Sequence, residues 1–240
     1  MDVGNDIFEA ADLLADRSRA KMLVALSDGR SLPVSELARI AGIALPTASL
    51  HLRRLTEKNW VVVEKVGRHR YFRLAVNENL RNAIEALSAL ASPPKVKSLK
   101  DSIILPTLKT GRTCYDHLAG MLGVTIAKTL LERQIVIEDS NGFSVTSEGG
   151  NWFSSFGVNI EDVQKTRRKF APICVDWTER RHHIGGALGA AIYSRFLELS
   201  WIVKSRDSRA VSLTPTGAEG LQSVFGIEWI QNDTGSQLDA

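Results

Sequence analysis

The 240-residue chain holds two cysteines, Cys114 and Cys174, too few for a disulfide-built scaffold. It lacks any run near the ~20 consecutive apolar residues that span a bilayer. Its first residues, MDVGNDIFEAADLLADRSR, carry acids where a signal peptide needs a basic start and an apolar run, so a cytoplasmic protein with two free thiols and no membrane partner is expected. A glycine-rich phosphate loop, H-E-x-x-H and G-x-S-x-G are also missing. A Cys nucleophile served by His117, His182 or His183 has no supporting pattern, so no enzyme and no cofactor are expected. With 44% hydrophobic and 24% charged residues, 18 Gly and 7 Pro, collagen-like, coiled-coil and wholly disordered chains are excluded. The length suits two domains.

Charge is present, and it is unevenly placed. The net charge is +3, but between Arg39 and Arg73 the basic residues Arg39, Arg53, Arg54, Lys58, Lys65, Arg68, Arg70 and Arg73 face only Glu57 and Glu64. That stripe falls on a recognisable order of elements. Apolar residues at helical spacing (Ile7, Phe8, Ala11, Leu14, then Met22, Leu23, Leu26) predict two helices closed by Asp28-Gly29. Ser35 is the expected N-cap of a short helix that stops at Gly42. Pro46 fits the first turn of the next helix, whose buried side is Ala48, Leu52 and Leu55. Residues 60–66 and 70–74 read as two strands around Gly67-Arg68-His69. A helix carrying Leu80, Ile84, Leu87 and Ala91 then ends at Ser92-Pro93-Pro94.

This order is a winged helix-turn-helix. Its second helix would enter a DNA major groove with Pro46, Thr47, Ser49, His51, Arg53 and Arg54, and its hairpin would set Arg68, His69 and Arg70 on the phosphate backbone or minor groove.

The expected domains are residues 1–91 for DNA binding and dimerisation, a linker at 92–106, a C-terminal domain at 107–230 and a disordered tail at 231–240. The C-terminal half repeats itself. At an offset of 66, His117-Leu118-Ala119-Gly120 matches His183-Ile184-Gly185-Gly186, Leu122-Gly123 matches Leu188-Gly189, and Ile135-Val136-Ile137 matches Trp201-Ile202-Val203. Copies at about 112–160 and 172–230 each read as helix, strand, turn, strand and helical tail, much like the wing-bearing part of the first domain. The fold class is therefore mainly α with small β-hairpins, a winged helix-turn-helix followed by a tandem repeat of winged-helix-like units.

The N-terminal residues resemble a known family. Asp16-Arg17-Ser18-Arg19-Ala20-Lys21-Met22-Leu23, Val34-Ser35-Glu36-Leu37-Ala38, Ser49-Leu50-His51-Leu52-Arg53-Arg54-Leu55 and residues 67–74 are similar to the signatures of ArsR-type winged helix repressors, over residues 5–91. The resemblance implies a homodimeric repressor, released from a pseudo-palindromic operator by an effector. It further implies dimerisation through the first and last helices, which here carry Ile7, Phe8, Leu14, Leu80, Ile84 and Leu87. Metal-sensing members place Cys in the short helix, where Ser31–Leu37 has none, or His in the last helix, where residues 77–91 have none. Ala44 and Leu45 replace polar residues at the recognition-helix start, leaving a weak cap.

Candidate effector or redox residues are Cys114, Asp116, His117, Cys174, Asp176, Trp177 and His183. Buried packing, thiol sensing of an oxidant and metal binding all remain open for the cysteines. The absence of C-x-x-C spacing leads to an expectation of no metal site. Tyr115, Trp152, Trp177 and Trp201 fit either a small-molecule pocket or plain core. The competing reading of the whole chain is a protein-interaction or architectural DNA-binding module with little sequence preference.

Overall fold

The computed structural model describes residues 7–27, 29–67, 69–91, 99–205 and 208–229. The chain divides into two compact units after Ile84, and among the described residues no helix is long and apolar enough to cross a membrane.

The first unit runs α1 (Ile7–Ala15), α2 (Arg17–Leu26), β1 (Leu32–Pro33), α3 (Val34–Ala41), α4 (Leu45–Glu57), β2 (Val61–Val66) and β3 (His69–Leu74). Asp16 separates the first two helices because its carboxylate accepts the N–H groups of Ser18 (3.0 Å) and Arg19 (2.8 Å) at the start of α2. Those bonds hold its pKa below the usual carboxylate value. The N-cap of α3 is Pro33 rather than the expected Ser35, which lies inside the helix; Pro33 is extended (φ −73°, ψ 156°) and leaves the helix to start at Val34. Gly42 (φ +73°) closes it. Met22, Leu23, Leu26, Leu37, Leu52 and Leu55 fill the core. The sheet has order β1-β3-β2, so the expected hairpin gains a third strand, two residues long and too short to show a period.

The division between the units falls inside helix α5 (Glu78–Leu90), between Ile84 and Glu85, ahead of the boundary expected at residue 91, which lies just past that helix. Residues 92–98 and the expected tail at 231–240 lie outside the described residues. The rest of the expected linker is corrected by α6 (Leu99–Thr110), which keeps Pro106 in its interior. Pro106 interrupts the pattern without ending the helix, since a helix can lose one backbone donor and continue.

The second unit continues with hairpin β4 (Arg112–Cys114) and β5 (His117–Ala119), α7 (Gly120–Glu132), hairpin β6 (Val136–Asp139) and β7 (Gly142–Val145), α8 (Ser147–Phe156) and α9 (Ile160–Gln164). The same order returns as β8 (Ile173–Val175), β9 (His182–Ile184), α10 (Gly186–Glu198), β10 (Ile202–Lys204), β11 (Val211–Leu213) and α11 (Pro215–Gly220), extended by one π-helical turn, Leu221–Phe225.

Contacts repeat along with the elements. A Cβ on Gly123 would sit 2.3 Å from the Leu118 carbonyl oxygen, and one on Gly189 would sit 2.2 Å from that of Ile184, so each helix crosses its hairpin where only glycine fits. Thr146 caps α8 by accepting the Gly149 N–H, and Thr214 caps α11 by accepting the Gly217 N–H, both at 2.9 Å. The hairpins opening each copy were not anticipated, because three-residue strands leave no alternation to read. The two copies share one core. Trp152 stacks on Phe156 (5.3 Å) and Trp201 meets Phe196 edge-on (5.1 Å), so these two tryptophans are core residues.

Candidate nucleic-acid interface and a buried cysteine-histidine cluster

Helix α4 has two unlike sides. Ala48, Leu52 and Leu55 are fully buried, whereas Pro46, Thr47, Ser49, Arg53 and Arg54 are exposed, together with Leu45 and Leu50, which the sequence reading did not single out. Ala44, at the N-cap, makes no side-chain cap bond. Ser49 donates its hydroxyl to the Leu45 carbonyl (2.9 Å), and Arg53 lies 3.7 Å from Glu57. Of the candidate contacts on this helix, His51 departs from the rest. It is half-buried, with Nδ1 3.5 Å from Nη1 of Arg19, whose own side chain is buried and donates to the Leu13 and Asp12 carbonyls. That places His51 against α2 rather than on the open side.

On the wing, His69 and Arg70 are exposed and Arg68 lies outside the described residues. Lys65 stands directly opposite Arg70 in the β2–β3 register. Arg73 is occupied differently, paired with Glu64, which also accepts the Ser31 hydroxyl (2.8 Å). The Arg73 and Ser31 bonds hold the Glu64 carboxyl below its usual range.

The residues expected for dimerisation separate into two groups. Leu80 and Ile84 are buried in the core that also contains α2 and α4, and Leu14 packs against it, so these three are spent within the chain. Ile7 (70% exposed), Phe8 (81%) and Leu87 (49%) are open, as is Leu90 (82%). The single buried residue of α1 is Leu13, one position off the expected stripe.

In the second unit, two hairpins distant in sequence build one cluster. Cys114 faces His117 across β4–β5, and Cys174 faces His183 across β8–β9. The sulfurs are 3.7 Å apart, the two Nε2 atoms are 3.1 Å apart, and one ligand atom from each of the four side chains falls within 4.8 Å of the others. Cys114, His117 and His183 are buried and Cys174 is half-buried.

Cys114 is pushed well up in pKa, first by the Cys174 thiol and then by burial. Burial opposes a proton on His117, yet the Cys114 sulfur and the Asp116 carboxylate beside it raise it to about 9. Burial, and then His117 opposite, push His183 well below the imidazole range. Two imidazolium ions do not share such a space, so one ring is neutral and presents a lone pair. The Nδ1 atoms of both rings are buried without a hydrogen-bond partner.

These four side chains correct the reason for expecting no metal site. Local spacing carries no C-x-x-C because the fold, not the local sequence, completes the set.

The remaining candidates surround the cluster. Asp176 is the anchor of a buried ion pair: Oδ2 accepts Arg112 Nη2 (2.8 Å) and the Gly120 N–H (2.6 Å), and Oδ1 accepts the Thr178 hydroxyl (2.6 Å) and the Glu179 N–H (2.9 Å). Burial works against its charge, but Arg112 and these donors keep its pKa far below the carboxylate range. The Arg112 guanidinium lies 4.6 Å from the centre of the Trp177 ring. Asp176 and Trp177 thus join the first hairpin to the second. Asp116 pairs with Arg168 and sets Oδ1 3.7 Å from His117 Nδ1.

Several known proteins are similar to this chain. The family model described as bacterial regulatory protein, arsR family, matches residues 16–61, from the cap of α2 to the first residue of β2. The chain is 47% identical over 223 residues to YdfF of Bacillus subtilis (strain 168), described as an uncharacterized HTH-type transcriptional regulator; the match covers 93% of this chain and 98% of that protein. Among solved structures, HlyU from Vibrio cholerae N16961 is 25% identical over 35% of this chain and 89% of its own, with a TM-score of 0.32. NolR from Sinorhizobium fredii is 20% identical over 37% of this chain and 86% of its own, with a TM-score of 0.34.

Proposed function

The chain belongs to the arsR family of bacterial regulatory proteins and is a transcriptional regulator, not an enzyme; on that premise we propose that it is a cytoplasmic, homodimeric repressor. It binds a pseudo-palindromic operator through α4 and the β2–β3 wing, and an effector acting on its second unit releases it. The observation that carries the DNA contact is the wing, where Lys65 and Arg70 stand opposite one another. Like charges paired directly across strands cost stability in the free protein and become favourable against a polyanion. Thr47, Arg53 and Arg54 supply base-edge and phosphate donors on the open side of α4, and Ser49, whose hydroxyl donates to Leu45, offers an acceptor there. The apolar residues left open on α1 and α5 (Ile7, Phe8, Leu87 and Leu90) support a second copy as partner.

Fluorescence anisotropy against the upstream DNA of the protein's own gene and against random duplex, at fixed salt, tests the reading. A regulator gives a specific to non-specific affinity ratio of about 10³ or more. Arg53→Ala should lower that ratio, whereas Arg70→Ala should weaken both duplexes alike and reduce the salt slope by about one. A ratio near one would instead make the protein an architectural binder.

A further inference from the structure

We propose that Cys114, His117, Cys174 and His183 bind one tetrahedrally coordinated divalent metal ion of the zinc class, through both Sγ atoms and the Nε2 atoms of both rings. This goes beyond the DNA reading and does not depend on it.

The first argument is metric. A tetrahedral ion with metal–sulfur bonds of ~2.3 Å and metal–nitrogen bonds of ~2.05 Å needs a sulfur–sulfur edge of ~3.75 Å and a nitrogen–nitrogen edge of ~3.35 Å. The edges here are 3.7 Å and 3.1 Å. The remaining sulfur–nitrogen edges, within 4.8 Å where such an ion needs ~3.55 Å, close by ~1.25 Å at most.

The second argument is charge. Two thiolates and two neutral imidazoles around a divalent ion sum to zero, so the centre can lie among buried groups without a counter-ion. Each thiol gives its proton to solvent as its sulfur bonds the metal, the His117 ring likewise gives up the proton on its Nε2 while keeping the one on Nδ1, and no electron moves. A monovalent ion in the same set would leave a buried negative charge. A disulfide between the cysteines would need an oxidant and would leave both imidazoles without a task.

The third argument concerns the other ring nitrogens. Nε2 ligation puts the ring proton on Nδ1, and His117 Nδ1 already faces Asp116, held in place by Arg168. A shift of ~0.5–1 Å from 3.7 Å would complete the carboxylate–histidine–metal arrangement that fixes ring orientation. Symmetry agrees, for each copy of the repeat gives one sulfur and one nitrogen from adjacent strands.

The test uses the full chain without an affinity tag, purified in reductant, stripped with chelator and titrated with Co²⁺. The expected result is one equivalent bound, with intense visible bands of a tetrahedral ion, thiolate charge-transfer absorption in the near ultraviolet, and displacement of both by one equivalent of Zn²⁺. Cys114→Ser and Cys174→Ser should each weaken binding at least about a hundredfold and halve the charge-transfer intensity. Circular dichroism of the stripped variants checks their folding. Should they not fold, the wild-type spectrum and a thiol assay, with both thiols protected by Zn²⁺ and reactive without it, still decide. A pale octahedral spectrum, binding that survives both serine variants, or two thiols equally reactive with and without Zn²⁺ would each overturn the proposal.

Discussion

One joint occurs three times in this chain, and its surroundings give it different tasks. In the first unit α4 leads through Asn59 (φ +55°) to Trp60, whose N–H bonds the Leu55 carbonyl at 2.9 Å before β2 begins. In the second unit α7 leads through Gln134 (φ +55°) to Ile135, bonded to Leu130, and α10 leads through Ser200 (φ +58°) to Trp201, bonded to Phe196, again at 2.9 Å. The backbone device is the same: a left-handed residue ends the helix and an apolar one turns the chain into a hairpin.

What differs is the rest of each helix. α4 buries one side and opens Thr47, Ser49, Arg53 and Arg54 on the other, whereas α7 buries Gly120, Leu122, Gly123, Val124, Ile126, Ala127 and Leu130, and α10 buries Gly186, Ala187, Leu188, Gly189, Ile192, Tyr193 and Phe196. Small residues let each of these helices press onto hairpins, so the two copies consume the surfaces a DNA reader would need. The winged-helix shape is thus common to all three, and the open, basic side, on which the proposed DNA contact rests, belongs to α4.

The largest effect that would sharpen this contrast is expected at Arg112. Arg112→Met leaves Asp176 buried without its partner, and breaking a buried pair in this way costs about 3–5 kcal/mol. Trp152, Trp177, Trp201 and Trp229 lie in the second unit and Trp60 in the first, so urea unfolding followed by tryptophan fluorescence reads mainly the second. Its midpoint should fall sharply while DNA affinity in dilute buffer stays within about twofold, the scatter of distant, independent sites. An unchanged midpoint would break the claim that this ion pair joins the copies.

Next comes Gly189→Ala. The added methyl would meet the Ile184 carbonyl oxygen at 2.2 Å and the His117 Cβ at 3.0 Å. A forced backbone shift costs about 1–3 kcal/mol, and Co²⁺ affinity should drop with it because His117 must move. Gly150→Ala is the control: nothing lies within 4 Å of its Cβ, and it sits inside α8, so the same change should stabilise by up to about 1 kcal/mol. Equal effects from both would mean that close packing of α10 on its hairpin is unimportant.

The two units were also unequally legible in the sequence. Helix α4 is thirteen residues long and β2 and β3 are six each, long enough for periods of 3.6 and 2 to show, so its buried side (Ala48, Leu52, Leu55) could be read directly. The strands that carry the cysteine-histidine cluster are three residues each. Their pairing of residues 60 and 66 positions apart is a tertiary fact with no local trace. A signal was nevertheless present, because a repeat that superposes His117 on His183, with a cysteine shortly before each, brings its ligands in duplicate. Two copies that pack together place such a set about one axis. Leu80 and Ile84, expected at a dimer seam, lie in the core of their own chain, and the sequence could not tell the two apart: an apolar stripe marks a buried side without saying whether the same chain or a second copy buries it.

A smaller effect tests the cap that separates the first two helices. Asp16→Ala removes the acceptor for Ser18 and Arg19 and should cost about 1 kcal/mol at neutral pH. Since folding lowers the Asp16 pKa, its contribution is present above the unfolded value of ~3.9 and is lost as pH falls through the folded one. The difference between wild type and variant in urea melts should therefore vanish in acid and persist at neutrality. A difference independent of pH would assign the effect to helix propensity.

The smallest change bears most directly on the proposed contact of the β2–β3 wing with DNA. Lys65→Glu replaces a repulsive cross-strand neighbour of Arg70 with an attractive one. Cross-strand charge pairs contribute roughly 0.2–1 kcal/mol, so the free protein should become more stable by about that amount. The same substitution removes a cation from the polyanion's path and adds an anion, so affinity for any duplex should fall several-fold and the salt slope by about two. Stability and DNA binding then move in opposite directions. In the second unit the β6–β7 hairpin carries Glu138 and Asp139 in place of cations, with Glu138 paired to His182 (2.6 Å), and no such opposition exists to be relieved. If Lys65→Glu left both quantities unchanged, charge would not be what separates the β2–β3 wing from the β6–β7 hairpin, and the proposed DNA contact would rest on the open side of α4 alone.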